Sequence, residues 1–109
     1  ALLDEQGDAS APALALRAYK LQPGNPIILD TYGWSLARQG KAAEALPILQ
    51  RALAAAPAVP TIQYHLAATL VQAGKPAEAR NMLTSLLATQ ANFAERAKAS
   101  ALLKSLPAR

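Results

Sequence analysis

The chain lacks cysteine, has a single histidine and is poor in aromatic residues, which make up 5% of its 109 positions. Without cysteine it can form no disulfide, no thiolate metal site and no cysteine nucleophile. No stretch approaches the roughly 18 uninterrupted apolar residues of a membrane-spanning helix. The chain begins with Ala1 and shows neither an initiator methionine nor a signal peptide, so we expect it to be a piece of a longer protein.

Alanine and leucine dominate what is present. The chain is 52% hydrophobic and 17% charged, which is too apolar for a disordered segment. This composition favours close-packed helices over sheets. The length allows one domain with a modest core.

The sequence repeats itself with a period of 34 residues. Eleven of the 34 positions from 26 to 59 recur in 60 to 93, far more than chance would give. The recurring pairs include Pro26 with Pro60, Leu36 with Leu70, Gly40 with Gly74 and Leu49 with Leu83. A period of this length indicates stacked supersecondary units rather than one irregular fold.

Each unit reads as two helices. In the first unit Asn25 is placed to cap a helix that begins at Pro26, and Gly40 is placed to end it in a left-handed conformation. A second helix begins near Ala42 and runs towards Pro57, with Pro47 predicting an early kink or a later start. The apolar residues of both units recur at i, i+3, i+4 and i+7, the spacing of a buried helix face. Small residues, Gly33 among them, are expected where the paired helices approach.

These motifs resemble the tetratricopeptide repeat (TPR). Leu29-x-x-Tyr32-Gly33-x-x-Leu36, Ala45-x-x-x-Leu49 and Pro57 match its signature positions, although Ala91 stands where the second unit would have proline. The resemblance implies an all-α, right-handed solenoid of antiparallel helix pairs with a C-terminal capping helix. The predicted units are 1–25 (a partial repeat, mainly its second helix), 26–59, 60–93, and 94–109 (the capping helix and tail). Asn92 and Glu95 have the spacing of a capping box at the start of that last helix.

A narrower resemblance covers roughly residues 26–106. Asp30-Thr31-Tyr32-Gly33-Trp34, Tyr64-His65-Leu66-Ala67, Ala79-Arg80 and Phe93-Ala94-Glu95-Arg96 are similar to the C-terminal region of bacterial exosortase-system (PEP-CTERM) TPR lipoproteins. This resemblance implies a parent lipoprotein on the periplasmic side of the bacterial envelope, connected with polysaccharide or surface-protein export. Without it, a cytoplasmic location is the expectation.

The sequence offers no constellation for catalysis. Its carboxylates are scattered over different helices, and its glycines sit in turns or at close approaches rather than in a phosphate-binding loop. We therefore expect no enzyme activity, no cofactor and no metal site.

The remaining candidate is a binding surface. In TPR superhelices the first helix of each unit lines a concave groove, so the resemblance implies a groove that takes a protein or peptide. The side chains expected to line it are Ile27, Asp30, Thr31, Trp34, Arg38, Thr61, Tyr64, His65, Ala68 and Gln72. Trp34 and Tyr64 are anchors of the type found at interface hot spots, and Arg38 can pair with carboxylates. The family's carboxylate clamp for chaperone tails uses Lys, Asn and Arg, which this set does not reproduce.

Several alternatives stay open at this point. Trp34 can equally pack between neighbouring units, and His65, for which the sequence suggests no acidic partner, reads more readily as a structural residue. The net charge of +4 suggests nucleic acid, but the basic residues are spread over every helix with no aromatic platform, so no nucleic-acid partner is expected. The chain can also be a structural cap without a ligand of its own. Weak self-association is a further possibility if the leucines Leu2, Leu3, Leu14 and Leu16 are exposed.

Overall fold

The computed structural model describes residues 12–89 and 92–107, which form helices joined by short loops, with no strand in those ranges. The all-α prediction is therefore confirmed. The helices, in chain order, are α1 (Pro12–Leu21), α2 (Pro26–Arg38), α3 (Ala42–Ala55), α4 (Pro60–Gln72), α5 (Pro76–Ala88) and α6 (Arg96–Ser105). Consecutive helices pack against each other, and α2 also lies beside α4.

Proline marks the start of three helices, α2, α4 and α5. A proline at the first helical position sacrifices no hydrogen bond, and its fixed φ suits the helix. At α2 the predicted cap is confirmed, because the Asn25 side-chain oxygen accepts hydrogen bonds from the backbone N–H groups of Ile27 at 3.0 Å and Ile28 at 3.3 Å. The sequence alone is therefore enough to predict where α2 begins.

The two helices α2 and α4 end in the same way. Gly40 and Gly74 both have a φ of 81°, a conformation that favours glycine. After α2, the N–H of Lys41 donates to the carbonyl of Leu36 at 2.9 Å and the N–H of Gly40 donates to Ala37 at 3.0 Å. These are the two bonds of a Schellman motif, so the predicted left-handed stop is confirmed.

The helix pairs enclose an apolar core made of three neighbouring clusters. Its members come from the predicted inward faces of α2 to α6, and small residues stand where helices approach. The fully or nearly buried side chains include Leu29, Leu36, Ala45, Leu49, Ala52, Ile62, Leu66, Ala67, Leu70, Ala79, Leu83, Leu86 and Ala99. Gly33 of α2 lies directly against Leu49 and Ile48 of α3, which confirms the close approach expected there.

The start of α3 expected near Ala42 is confirmed, and of the two alternatives given for Pro47 the later start is wrong. The helix begins at Ala42 and continues through Pro47 to Ala55, so it has no later start. Pro47 lacks an N–H and cannot donate to the carbonyl one turn before it. Packing of Ala45, Leu49 and Ala52, each 0% exposed, offsets that missing bond. Tertiary burial here outweighs local propensity.

Two arginines attach the outer helices to the centre. Arg51 of α3 donates to the Tyr19 hydroxyl at 3.0 Å and to the Pro23 carbonyl at 2.9 Å, which ties α1 and the following loop to the first pair. At the other end Arg80 of α5 donates to the carbonyls of Leu106 and Pro107, just after α6. Because three of these four bonds go to backbone carbonyls, they position whole segments.

The N-terminal expectations are covered only in part. Residues 1–11, including Leu2 and Leu3, lie outside the described residues. Leu14 is 42% exposed, as expected, whereas Leu16 is half-buried.

Candidate functional site

Three aromatic side chains meet where α2 lies beside α4. The ring of Trp34 stacks on the imidazole of His65 with centroids 4.1 Å apart and an interplanar angle of 13°. Tyr64 lies at a tilt beside both rings, 6.1 Å from Trp34 and 5.9 Å from His65. Trp34, Tyr64 and His65 are called the aromatic cluster below. Trp34 and Tyr64 are half-buried, so part of each remains accessible to a ligand, whereas the His65 side chain is only 12% exposed.

A buried carboxylate lies under the aromatic cluster. His65 Nδ1 is 2.8 Å and 3.0 Å from the two carboxylate oxygens of Asp30, and the side chains are only 12% and 10% exposed. An ionised carboxylate only accepts hydrogen bonds, so Nδ1 carries the proton and donates. This bond fixes the tilt and tautomer of the imidazole on which Trp34 stacks.

Sequence reasoning missed this pair. It assigned both residues to the groove and assumed that His65 had no acidic partner, which is wrong. The two residues are 35 positions apart, one repeat plus one residue, so they lie on neighbouring first helices. The repeat register was the available signal, because it places residue i of one first helix beside residue i+34 or i+35 of the next.

The same register brings Glu95 to the edge of the site. Thr61 Oγ1 donates to Glu95 Oε1 at 2.9 Å, across 34 positions. The predicted capping box is therefore wrong: α6 begins at Arg96, Glu95 is its N-cap, and the Glu95 side chain makes no capping hydrogen bond. Its carboxylate is directed to α4 instead. Burial first, and then the negative charge of Glu95, raise the pKa of Tyr64 above its ordinary value.

This pKa shift predicts a loss of stability at alkaline pH. A tyrosine whose pKa is raised by folding holds its proton more tightly in the folded state, so its contribution is fully present below about pH 10, the unfolded value, and is lost as pH rises through the folded value. In Glu95→Gln the pKa of Tyr64 should fall but stay above the ordinary value, because burial is the larger cause.

An NMR titration of the Tyr64 ring carbon measures this shift directly. Glu78→Gln, which removes an exposed acid from α5, is the matched control and should leave Tyr64 unchanged. A Tyr64 pKa that is the same in wild type and Glu95→Gln would contradict the assignment.

The other predicted site residues are not drawn into the aromatic cluster. Ile27 is 59% exposed, Arg38 is exposed at the end of α2, and the Thr31 hydroxyl donates to the carbonyl of Ile27 on its own helix at 3.0 Å. Gln72 of α4 is held by α2, since its amide donates to the carbonyl of Ala37 at 3.0 Å. Thr61 bonds Glu95 as described, and Ala68 is half-buried. The structure thus brings Asp30, Trp34, Tyr64 and His65 together, while the other predicted site residues lie outside the aromatic cluster.

A separate groove, which the sequence did not suggest, lies between α3, α4 and α5. Its volume is about 390 Å³, and its lining consists of Leu53, Pro57, Gln63, Met82, Ser85 and Thr89. Across residues 12–89 and 92–107 no three His, Cys, Asp or Glu side chains are grouped to hold a metal ion. The helices of those same ranges include none that is long and apolar enough to cross a membrane.

Comparison with known proteins fits this architecture. The profile of the tetratricopeptide repeat family matches residues 36–106, more than half of the chain. The chain belongs to the TPR family. The all-helical repeat solenoid expected from the 34-residue period is confirmed, and TPR repeats generally mediate contacts between proteins.

A relative of known sequence is a TPR repeat-containing protein of Pseudomonas aeruginosa. The two are 51% identical over 43 residues, which is 39% of this chain and only 7% of that protein's length. No solved structure gives a significant match to the chain.

Proposed function

We propose that the chain is a non-catalytic scaffold that binds a protein or peptide on the face formed by α2 and α4. The observation that carries this proposal is the aromatic cluster, in which two large, half-buried rings rest on the buried Asp30–His65 pair. Tryptophan and tyrosine are enriched among residues that dominate binding energy. TPR membership supports the same role, since protein contacts are the usual work of such repeats.

The aromatic cluster is held in place before any ligand arrives. Trp34 stacks on His65, and the imidazole is fixed in turn by the hydrogen bond to Asp30. A side chain that is already ordered loses little rotamer freedom on binding, so more of its contact energy appears as affinity. The Asp30–His65 pair thereby acts as a positioning element, while Trp34 and Tyr64 make the contact.

The proposal includes a repeat organisation. We place complete units at 26–59 and 60–93, preceded by a partial unit in 1–25 and followed by a cap in 94–109. The α2–α3 and α4–α5 pairs each fall inside one such unit, and α6 begins two residues into the last segment.

The setting we propose is the bacterial envelope, in a parent lipoprotein connected with polysaccharide or surface-protein export. It rests on the short sequence strings that resemble exosortase-system lipoproteins. A bacterial relative is compatible with it but says nothing of the compartment.

Affinity capture from a bacterial envelope extract tests this function. We expect the wild type to retain a partner that Trp34→Ala/Tyr64→Ala loses, because truncating two hot-spot anchors costs about 2 kcal/mol or more each. Tyr19→Ala is the matched control: Tyr19 also belongs to a stacked aromatic pair, with Tyr32 at 4.6 Å, but lies outside the cluster. Circular dichroism must show equal helicity in all variants.

The other outcomes are equally informative. Equal capture by the double variant would contradict the α2–α4 face and direct attention to the groove lined by Leu53 and Met82. No captured partner would contradict the binding function for this segment.

Self-association is the alternative for which the structure offers an observation. Three large apolar side chains are exposed in the described residues, and all lie on α1 or at the start of α2: Leu14 at 42%, Leu21 at 80% and Ile27 at 59%. If this edge joins two copies, light scattering will show a mass that rises with concentration, and Leu21→Lys will abolish the rise.

A further inference from the structure

The acidic residues are unevenly placed around the aromatic cluster. The chain as a whole is basic, with a net charge of +4. The described residues nevertheless contain four acids, Asp30, Glu44, Glu78 and Glu95, and two of these four border the aromatic cluster. Asp30 contacts His65, and Glu95 accepts a hydrogen bond from Thr61, which lies about one turn before Tyr64 on α4. Two of the four described carboxylates thus lie near the aromatic cluster, although the protein as a whole is positively charged.

Neither carboxylate is neutralised by a lysine or arginine. Among the described residues, the ion-pair partner of Asp30 is His65, and Glu95 receives one hydrogen bond, from the neutral Thr61 hydroxyl. The second oxygen of Glu95 and the hydroxyl of Tyr64 have no hydrogen-bond partner in those ranges. The carboxylate of Glu95 can therefore accept a further hydrogen bond from a ligand beside the accessible rings.

Arg96, the residue after Glu95, contacts other groups. Arg96 donates to the carbonyl of Leu87 at 2.8 Å and lies 5.9 Å from the ring of Phe93. Arg38 and Lys98 are exposed one turn beyond Trp34 and Glu95 on their helices. Lys98 makes an acidic ligand the natural competitor in any test.

We propose that the aromatic cluster and Glu95 bind an arginine side chain of the protein partner. A guanidinium stacks on the faces of tryptophan and tyrosine and forms directional hydrogen bonds to carboxylates. Trp34 and Tyr64 supply the faces, and Glu95 supplies the hydrogen-bond acceptor. The inference rests on the proposed binding function and names its ligand class. It is the reverse of a site built from cations for an acidic peptide tail.

Peptide pools provide the test. Fluorescent random peptides with a central Arg, Lys, Gln or Glu are titrated into the whole chain, and anisotropy reports binding. We expect the Arg pool to bind about tenfold more tightly than the Gln pool, the size of a partly desolvated cation–π contact with a carboxylate. Added salt should reduce this preference.

Two variants with the same change in charge separate the site from the rest of the surface. Glu95→Gln keeps the size of the side chain and should reduce the preference for Arg several-fold, while Glu78→Gln on α5 should leave it unchanged. Preference for the Glu pool, lost in Trp34→Ala, would overturn this inference and still support binding on the α2–α4 face. If Glu95→Gln and Glu78→Gln show the same preference for the Arg pool, the arginine binds elsewhere on the protein. Absence of binding by every pool would overturn the inference together with peptide binding itself.

Discussion

Replacing Gly33 by leucine is expected to unfold the α2–α3 pair. A Cβ atom built on Gly33 would lie 2.7 Å from Leu49 Cγ, 2.8 Å from Leu49 Cδ2 and 3.3 Å from Ile48 Cγ2. Cγ is the branch point of leucine, so the clash cannot be relieved by turning one methyl group. Leu49 is itself 0% exposed and has nowhere to move. Overpacking of this kind costs about 1–3 kcal/mol even for small insertions, and leucine adds three further carbons.

Urea denaturation followed by circular dichroism measures this effect, and Gly33→Ala is the decisive variant. Alanine gains about 1 kcal/mol of helix propensity over glycine, which opposes the overpacking, so a net loss of stability isolates the steric cost. Gly24→Ala is the control, because a Cβ there meets nothing within 4 Å. If Gly33→Leu and the wild type have the same urea midpoint, α2 and α3 do not approach each other closely at Gly33.

Removing the carboxylate of Asp30 is expected to have the second-largest effect. In Asp30→Ala the Nδ1–H of His65 loses its acceptor in a site where the imidazole is only 12% exposed. A buried donor without a partner costs about 1–3 kcal/mol. The substitution also removes the hydrogen bond that orients the His65 ring. The stacking of Trp34 on this ring should therefore become less ordered as the stability of the protein falls.

Asp30→Asn separates the hydrogen bond from the charge. The amide oxygen still accepts from Nδ1–H, so this variant should keep most of the stability and the stacked geometry that Asp30→Ala loses. The denaturation midpoint and the chemical shift of the Trp34 indole N–H report the two effects. If Asp30→Ala and wild type unfold at the same midpoint, the Asp30–His65 contact contributes nothing to the fold.

The helical framework was predictable from local signals. Asn25 followed by Pro26 predicts a helix start, and Gly40 followed by a new periodic segment predicts a helix end. Both predictions are local, because a helix cap bonds only to backbone groups within the nearest turn. Pro47 shows the limit of such signals. Its local preference was to interrupt the helix, but the burial of Ala45, Leu49 and Ala52 keeps α3 continuous.

The candidate site was predictable only as a set of residues. Trp34, Tyr64 and His65 were recognisable as unusual side chains on first helices, yet their mutual contacts depend on how α2 lies beside α4. A shift of one residue between these helices decides whether Asp30 meets Tyr64 or His65. Glu95 shows the same dependence, since its sequence context suggested a local cap while the neighbouring helix offered Thr61. The repeat period predicts which helices lie side by side, but it does not predict which of their residues are in contact.

The contacts between first helices bear on which insertions and deletions the chain tolerates. Asp30 with His65, Ala37 with Gln72 and Thr61 with Glu95 all join residues 34 or 35 positions apart. One residue added within α4 between Thr61 and His65 would turn the later side chains by about 100° and carry His65 away from Asp30. The loop at 56–59 can absorb a change in length without rotating either helix. Length variation among related chains should therefore be confined to that loop, while the spacing inside α2 and α4 stays constant.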